Sequence, residues 1–136
     1  INNHRDVLLE SGIDPGVSGT TENQDLNLHI SEIFLVRRGK ERVKLSAPVA
    51  KATVVATRLN NRGYSQGAYF SNLTDESAEG LFRPDGSFLA AKDLIQSTDS
   101  SYVSIRGLSD DFALVVSYKY LDSGEETSES LLVRIQ

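Results

Sequence analysis

The chain has 136 residues, 39% of them apolar, a formal net charge of −5, and no Cys, Met or Trp. That length is most simply one domain with a modest core. The acidity excludes a general nucleic-acid binder, which needs a basic surface to displace counterions, and gives no attraction to an anionic membrane surface.

The missing cysteines exclude disulfides and thiolate metal sites, so cysteine usage says nothing about the redox compartment. No apolar run approaches the eighteen or so residues of a membrane-spanning helix. Residue 1 is Ile rather than Met. The expectation is a chain processed from something longer, with a signal peptide or membrane anchor upstream.

In chain order, Asp6 to Leu9 with Ile13 predicts one short helical turn, ended by Gly12 or Pro15. Asp14 to Gln24 is Gly, Ser, Thr and Asn with almost no apolar content, the composition of a linker. Residues 1–25 are therefore read as a flexible arm outside the core, and residues 26–136 as the domain. Leu26, Leu28 and Ile30 alternate with Asn27 and His29, and Ile33 to Val36 is a continuous apolar run that suits a buried strand. Arg37 to Arg42 is a polar break containing Gly39. Val43 to Leu45 alternates again, which predicts a hairpin limited by Pro48.

Val49 to Leu59 reads as a central strand. Val49, Thr53, Val55, Thr57 and Leu59 share one face, and Ala50, Ala52, Val54 and Ala56 the other. Val55 is expected in the core, as is Val116 later in the chain. Asn60-Asn61-Arg62-Gly63 carries turn chemistry. Ala68 to Phe70, Leu81-Phe82 and Ser87 to Ala91 are short strands, the last two joined by the tight-turn signal Pro84-Asp85-Gly86. Asp75 to Gly80 is read as an acidic loop, Ala90 to Ile95 as a helical turn and Ser97 to Ser101 as a polar loop.

Tyr102 to Arg106 is a strand, and Ser109 to Asp111 turns the chain into its last unit. That unit, Phe112 to Ile135, is two apolar alternating runs around Asp122-Ser123-Gly124, the pattern of a β-hairpin. A lone hairpin is marginal in water, so it needs a sheet and a covering layer. About seven to nine short strands, with turns every 8 to 15 residues or so, predict an all-β fold. The architecture expected is a single antiparallel β-sandwich. VAKATVVATRLNN and LVVSYKYLDSGEE resemble the paired core strands of immunoglobulin-like, surface-exposed sandwich domains. That resemblance implies a module of adhesins, pilus or archaellum accessory proteins, or secretion assemblies.

Catalytic signals are thin. His4 and His29 belong to no HExxH or HxH pattern, so no zinc ligand set exists, and no GxSxG marks a nucleophile elbow. The expectation is no enzyme, no cofactor and no metal. Carboxylates at Asp75-Glu76-Glu79, Asp110-Asp111 and Glu125-Glu126-Glu129 read as solvated turns. The alternatives are a calcium site formed by Asp75 with Asp110-Asp111, or a glycosidase pair. Asn72-Leu73-Thr74 fits the N-glycosylation pattern.

The one basic cluster is Arg37, Arg38, Lys40, Arg42 and Lys44. It reads either as protection of an edge hairpin or as a docking patch for an acidic partner surface. Tyr64 and Tyr69, in a Gly-bearing polar stretch, are the other partner-contact candidates. The functional expectation is a non-catalytic, extracytoplasmic module that contacts a protein partner. The alternatives are a phage or virion structural component, or a carbohydrate-binding sandwich. Oligomeric state is left open.

Overall fold

The computed structural model describes residues 2–13, 30–95 and 102–135. Most of the described residues are strand and no helix among them reaches seven residues, so the all-β expectation holds. The first sheet has the order β1-β2-β3, formed by β1 (Val7–Ile13), β2 (Ile30–Val36) and β3 (Val43–Lys44). The second runs β4 (Ala52–Leu59), β5 (Ser65–Ser71), β6 (Ser77–Phe82), β7 (Phe88–Ala90) in chain order. A four-residue helix, α1 (Ala91–Leu94), leads on to the third sheet. That sheet has the order β10-β9-β8, from β8 (Tyr102–Leu108), β9 (Phe112–Tyr120) and β10 (Glu126–Arg134). All pairings are antiparallel.

A single sandwich has two sheets over one core; the described strands form three sheets and two cores. The reason lies in β6. Successive side chains point to opposite faces of a strand, and the neighbours Leu81 and Phe82 are both 0% exposed. Phe82 packs with Val54 and Tyr69 of the second sheet against Ile33 and Leu35 of the first, with Leu45 beside them. Leu81 packs the other way, against Ala91, Ile105, Ala113, Val115 and Ile135. The second sheet is thus a middle layer, with the first sheet on one face and α1 and the third sheet over part of the other.

Residues 7–13, read as a helical turn within a loose arm, form β1, paired along its length with β2 from Val7↔Val36 to Ile13↔Ile30. Leu8 packs on the first core while Val7 and Leu9 face out, a period of two rather than 3.6. The segment before it is also fastened. The Asn2 side chain donates to Asp6 Oδ2 and to the Asn60 carbonyl, each at 2.8 Å. The linker reading of Asp14 to Gln24, the Leu26/Leu28 alternation with His29, and the polar loop at Ser97 to Ser101 lie outside the described residues.

Two further expectations are corrected. β4 is at the edge of its sheet, not its centre. Its core face is also the other one: Val54 is 6% exposed and Val55 43%. The first and second sheets meet through Ala52, Val54 and Ala56, because small side chains permit the close approach. Val116 is buried, as expected. The three turns read from Gly-bearing sequences form as turns, with Gly63, Gly86 and Gly124 at φ of 89°, 89° and 83°, a region open to glycine without steric cost. Among the described residues no helix is long and apolar enough to cross a membrane.

Candidate binding groove

The second and third sheets touch through Leu81, but the face they share extends past that core. Pairing across β5 and β6 sets Ala68 opposite Glu79 and Phe70 opposite Ser77, all on the face that carries Leu81. Where β8 begins, it leaves this face open. The result is a groove of about 580 Å³, lined by Ala68, Phe70, Ser77, Glu79, Lys92 and Tyr102 among others. Phe70 is 50% exposed and Tyr102 51%. Tyr69 is buried on one side of β5, so alternation sends Phe70 out on the other.

Glu79 is fixed from the third sheet. Its carboxylate accepts hydrogen bonds from the Tyr102 hydroxyl and, at 3.0 Å, from Ser104 Oγ. The hydrogen bond to Glu79 holds the Tyr102 phenol above its ordinary pKa, with burial and the carboxylate's charge adding to it. The phenol therefore remains a donor across the neutral range, and the hydrogen bond ties the Tyr102 ring to the carboxylate. Next to the groove the Tyr102 ring lies 5.8 Å from that of Tyr118. Tyr118 in turn accepts a 3.2 Å hydrogen bond from Arg106. The outer face of β8-β9-β10 continues with exposed Phe112, Leu114, Tyr120 and Leu132.

The groove thus sets two half-exposed rings, a carboxylate and a lysine side chain along one surface. His4 is exposed, and His29 lies outside the described residues. Among the described residues no group of three His, Cys, Asp or Glu is placed to hold a metal. Individual carboxylates have other partners. Asp110 accepts from the Asn61 backbone N–H at 2.7 Å and side-chain amide at 3.0 Å, which lower its pKa. Glu76 accepts from the Tyr69 hydroxyl at 3.0 Å. Asn72 of the glycosylation pattern accepts from Thr53 Oγ1 at 3.2 Å.

The basic cluster is divided. Arg37 lies 3.5 Å from the buried Asp6 carboxylate, Arg42 sits 4.4 Å over the Phe34 ring, and Lys44 pairs with Glu32 at 3.1 Å. Arg38 and Lys40 are exposed at the turn, without an ion-pair partner among the described residues. Tyr64 is half-buried against the second core, with the Arg62 guanidinium 5.3 Å from its ring. Tyr69 is 4% exposed in the first core, edge-on to Phe88 at 5.1 Å, so its ring offers no contact surface.

The structure instead brings together Phe70, Glu79, Lys92 and Tyr102, of which the sequence marks only Glu79, as part of a carboxylate cluster in a turn. Glu79, expected in the acidic loop from Asp75 to Gly80, lies within β6. The available signal is the two-residue spacing of Glu79 and Leu81, which puts both on one face of a strand. No family model, no curated protein and no solved structure matches the chain.

Proposed function

We propose that this chain is a non-catalytic all-β module making protein–protein contacts in an extracytoplasmic assembly, with the Phe70–Glu79–Tyr102 groove as its contact site. The observation that carries this reading is the pair of half-exposed rings, Phe70 and Tyr102, that line one groove from two different sheets, Tyr102 donating to the Glu79 carboxylate beside them. Aromatic side chains on a rigid scaffold supply large contact area at small entropic cost. The partner chemistry that fits is an apolar side chain seated between Phe70 and Tyr102. The setting, a surface appendage, adhesion or secretion assembly, rests on the resemblance of VAKATVVATRLNN and LVVSYKYLDSGEE to strands of immunoglobulin-like surface domains.

The test is capture of a binding protein by the intact chain, compared with Phe70→Ala/Tyr102→Ala and with Lys40→Ala. Loss of binding in the double variant alone supports the groove. Equal loss in Lys40→Ala moves the contact to the basic turn, and undiminished binding by the double variant overturns the assignment.

One observation favours a second reading, a carbohydrate-binding module. Tyr102, Tyr120, Phe70 and Phe112 all present exposed rings, the surface on which sugar rings stack. Titration with oligosaccharides, followed by tyrosine fluorescence in this Trp-free chain, separates the two readings.

A further inference from the structure

The third sheet has two edges, and among the described residues only one is covered. At β8 the Gln66 amide donates to the Ile105 carbonyl at 2.8 Å, and Arg58 to the Arg106 carbonyl at 2.9 Å, so side chains of the middle sheet satisfy that edge. At β10 no strand pairs with the outer edge among the described residues, and residues Glu126 to Leu132 are exposed. A long, exposed, unpaired edge is a template for another strand.

Which groups β10 presents follows from its ladder. In an antiparallel pair, residues that exchange hydrogen bonds alternate with residues whose N–H and C=O point away. Leu121 bonds to Glu125 at 2.8 Å at the turn, and Ile135 to Asp111 at 2.7 Å at the far end. Both fix the odd-numbered residues of β10 as those bonded to β9, in the register Glu126↔Tyr120 to Arg134↔Phe112. Glu126, Ser128, Ser130, Leu132 and Arg134 therefore turn their backbone groups outward.

We propose that β10 pairs with β10 of a second copy of this chain, antiparallel about a two-fold axis at Ser130, giving one continuous six-stranded sheet. Ser130 is the midpoint of β10, so the strands overlap without overhang. In that register every outward-facing residue meets an outward-facing residue: Ser130 its own copy, Ser128 the second copy's Leu132, and Glu126 the second copy's Arg134. The last pairing occurs twice and sets opposite charges directly across from each other on the outer face, where cross-strand pairs interact.

Neighbouring registers lose this match. An axis at Glu129 sets two carboxylates face to face, and an axis at Leu131 places Arg134 opposite Ser128. Leu132, 66% exposed, gains cover from the second copy's strand. A two-fold contact of this kind is self-complementary, as most homodimer interfaces are.

The chain's lack of cysteine makes a direct test available. Ser130→Cys places two thiols at the axis, where paired Cα atoms are about 5.5 Å apart, within disulfide range. Mild oxidation should give a covalent dimer, and Ser128→Cys, displaced from the axis, should not. Sedimentation of the unmodified chain should show a concentration-dependent dimer. Ser130→Pro should abolish it without altering circular dichroism, because the N–H it removes lies outside the β9–β10 ladder.

Glu126→Arg should weaken association, and adding Arg134→Glu should restore it. A chain that stays monomeric at high concentration overturns the proposal. So does a dimer that forms equally well with Ser130→Pro, or a disulfide that forms equally from Ser128→Cys.

Discussion

The Arg58 guanidinium donates to the Arg106 carbonyl at 2.9 Å, and each of these residues occupies a break in strand register. In β4 the shift lies between Ala56 and Leu59, in β8 between Ile105 and Gly107. A bulge inserts a residue and reverses the alternation beyond it. Leu59 consequently joins Ala56 on the first core, and Leu108 joins Ile105 on the second. The two bulges bring an arginine from the middle sheet to the covered edge of the third, so one irregularity both completes a core and caps an edge.

Val54 and Val55 are adjacent in β4 but should respond differently to truncation. Val54→Ala removes buried methyl groups and should cost about 1–3 kcal/mol. Val55→Ala, on the half-open face, should cost well under 1 kcal/mol. Urea denaturation of the two variants checks the face assignment, and equal losses would contradict it.

Gly67 and Gly80 are paired across β5 and β6 beneath aromatic rings. A Cβ at Gly80 would lie 2.2 Å from the Leu89 carbonyl oxygen and 2.7 Å from Phe88 Cζ. The first clash is with backbone, which yields less readily than a side chain. Gly80→Ala should therefore destabilise by about 1–3 kcal/mol, although alanine is normally no worse than glycine in a strand. The readout is the thermal midpoint.

Ser65 is buried beside Phe82, and its hydroxyl has no hydrogen-bond partner among the described residues. A buried hydroxyl without a partner carries a desolvation penalty. Ser65→Ala should leave the thermal midpoint unchanged or raise it. A clear drop would show that the hydroxyl is satisfied by a group outside the described residues.

Hydrogen bonds from the Asn61 backbone and side chain lower the Asp110 pKa. A depressed carboxylate pKa contributes stability that is present above its unfolded value and lost as pH falls through its folded value. The stability of the chain should therefore fall below about pH 4. Asp110→Asn should make that acid slope shallower, since asparagine does not titrate. Thermal midpoints from pH 6 down to pH 2 measure the difference, and parallel slopes would refute the assignment.

Much of the strand inventory was legible locally. The β9–β10 hairpin and the Pro84-Asp85-Gly86 and Asn60–Gly63 turns follow from alternation and turn chemistry. The groove was not legible, because its parts lie on β5, β6, α1 and β8, and nothing local says which strands become neighbours. Tyr69 and Phe70 show the limit clearly. Alternation separates the two rings, but which face is covered depends on where the first sheet lies.

The sequence by itself determined that this is an all-β chain with glycine-governed turns and no cysteine chemistry, because those properties reside in single residues and short periods. Tertiary structure decided that there are three sheets rather than two, that residues 7–13 are a strand, and that Val54 rather than Val55 is buried. Each depends on which face of a strand another layer covers. A two-residue period names two faces without choosing between them, and a single register shift, as at Arg58 or Arg106, exchanges them.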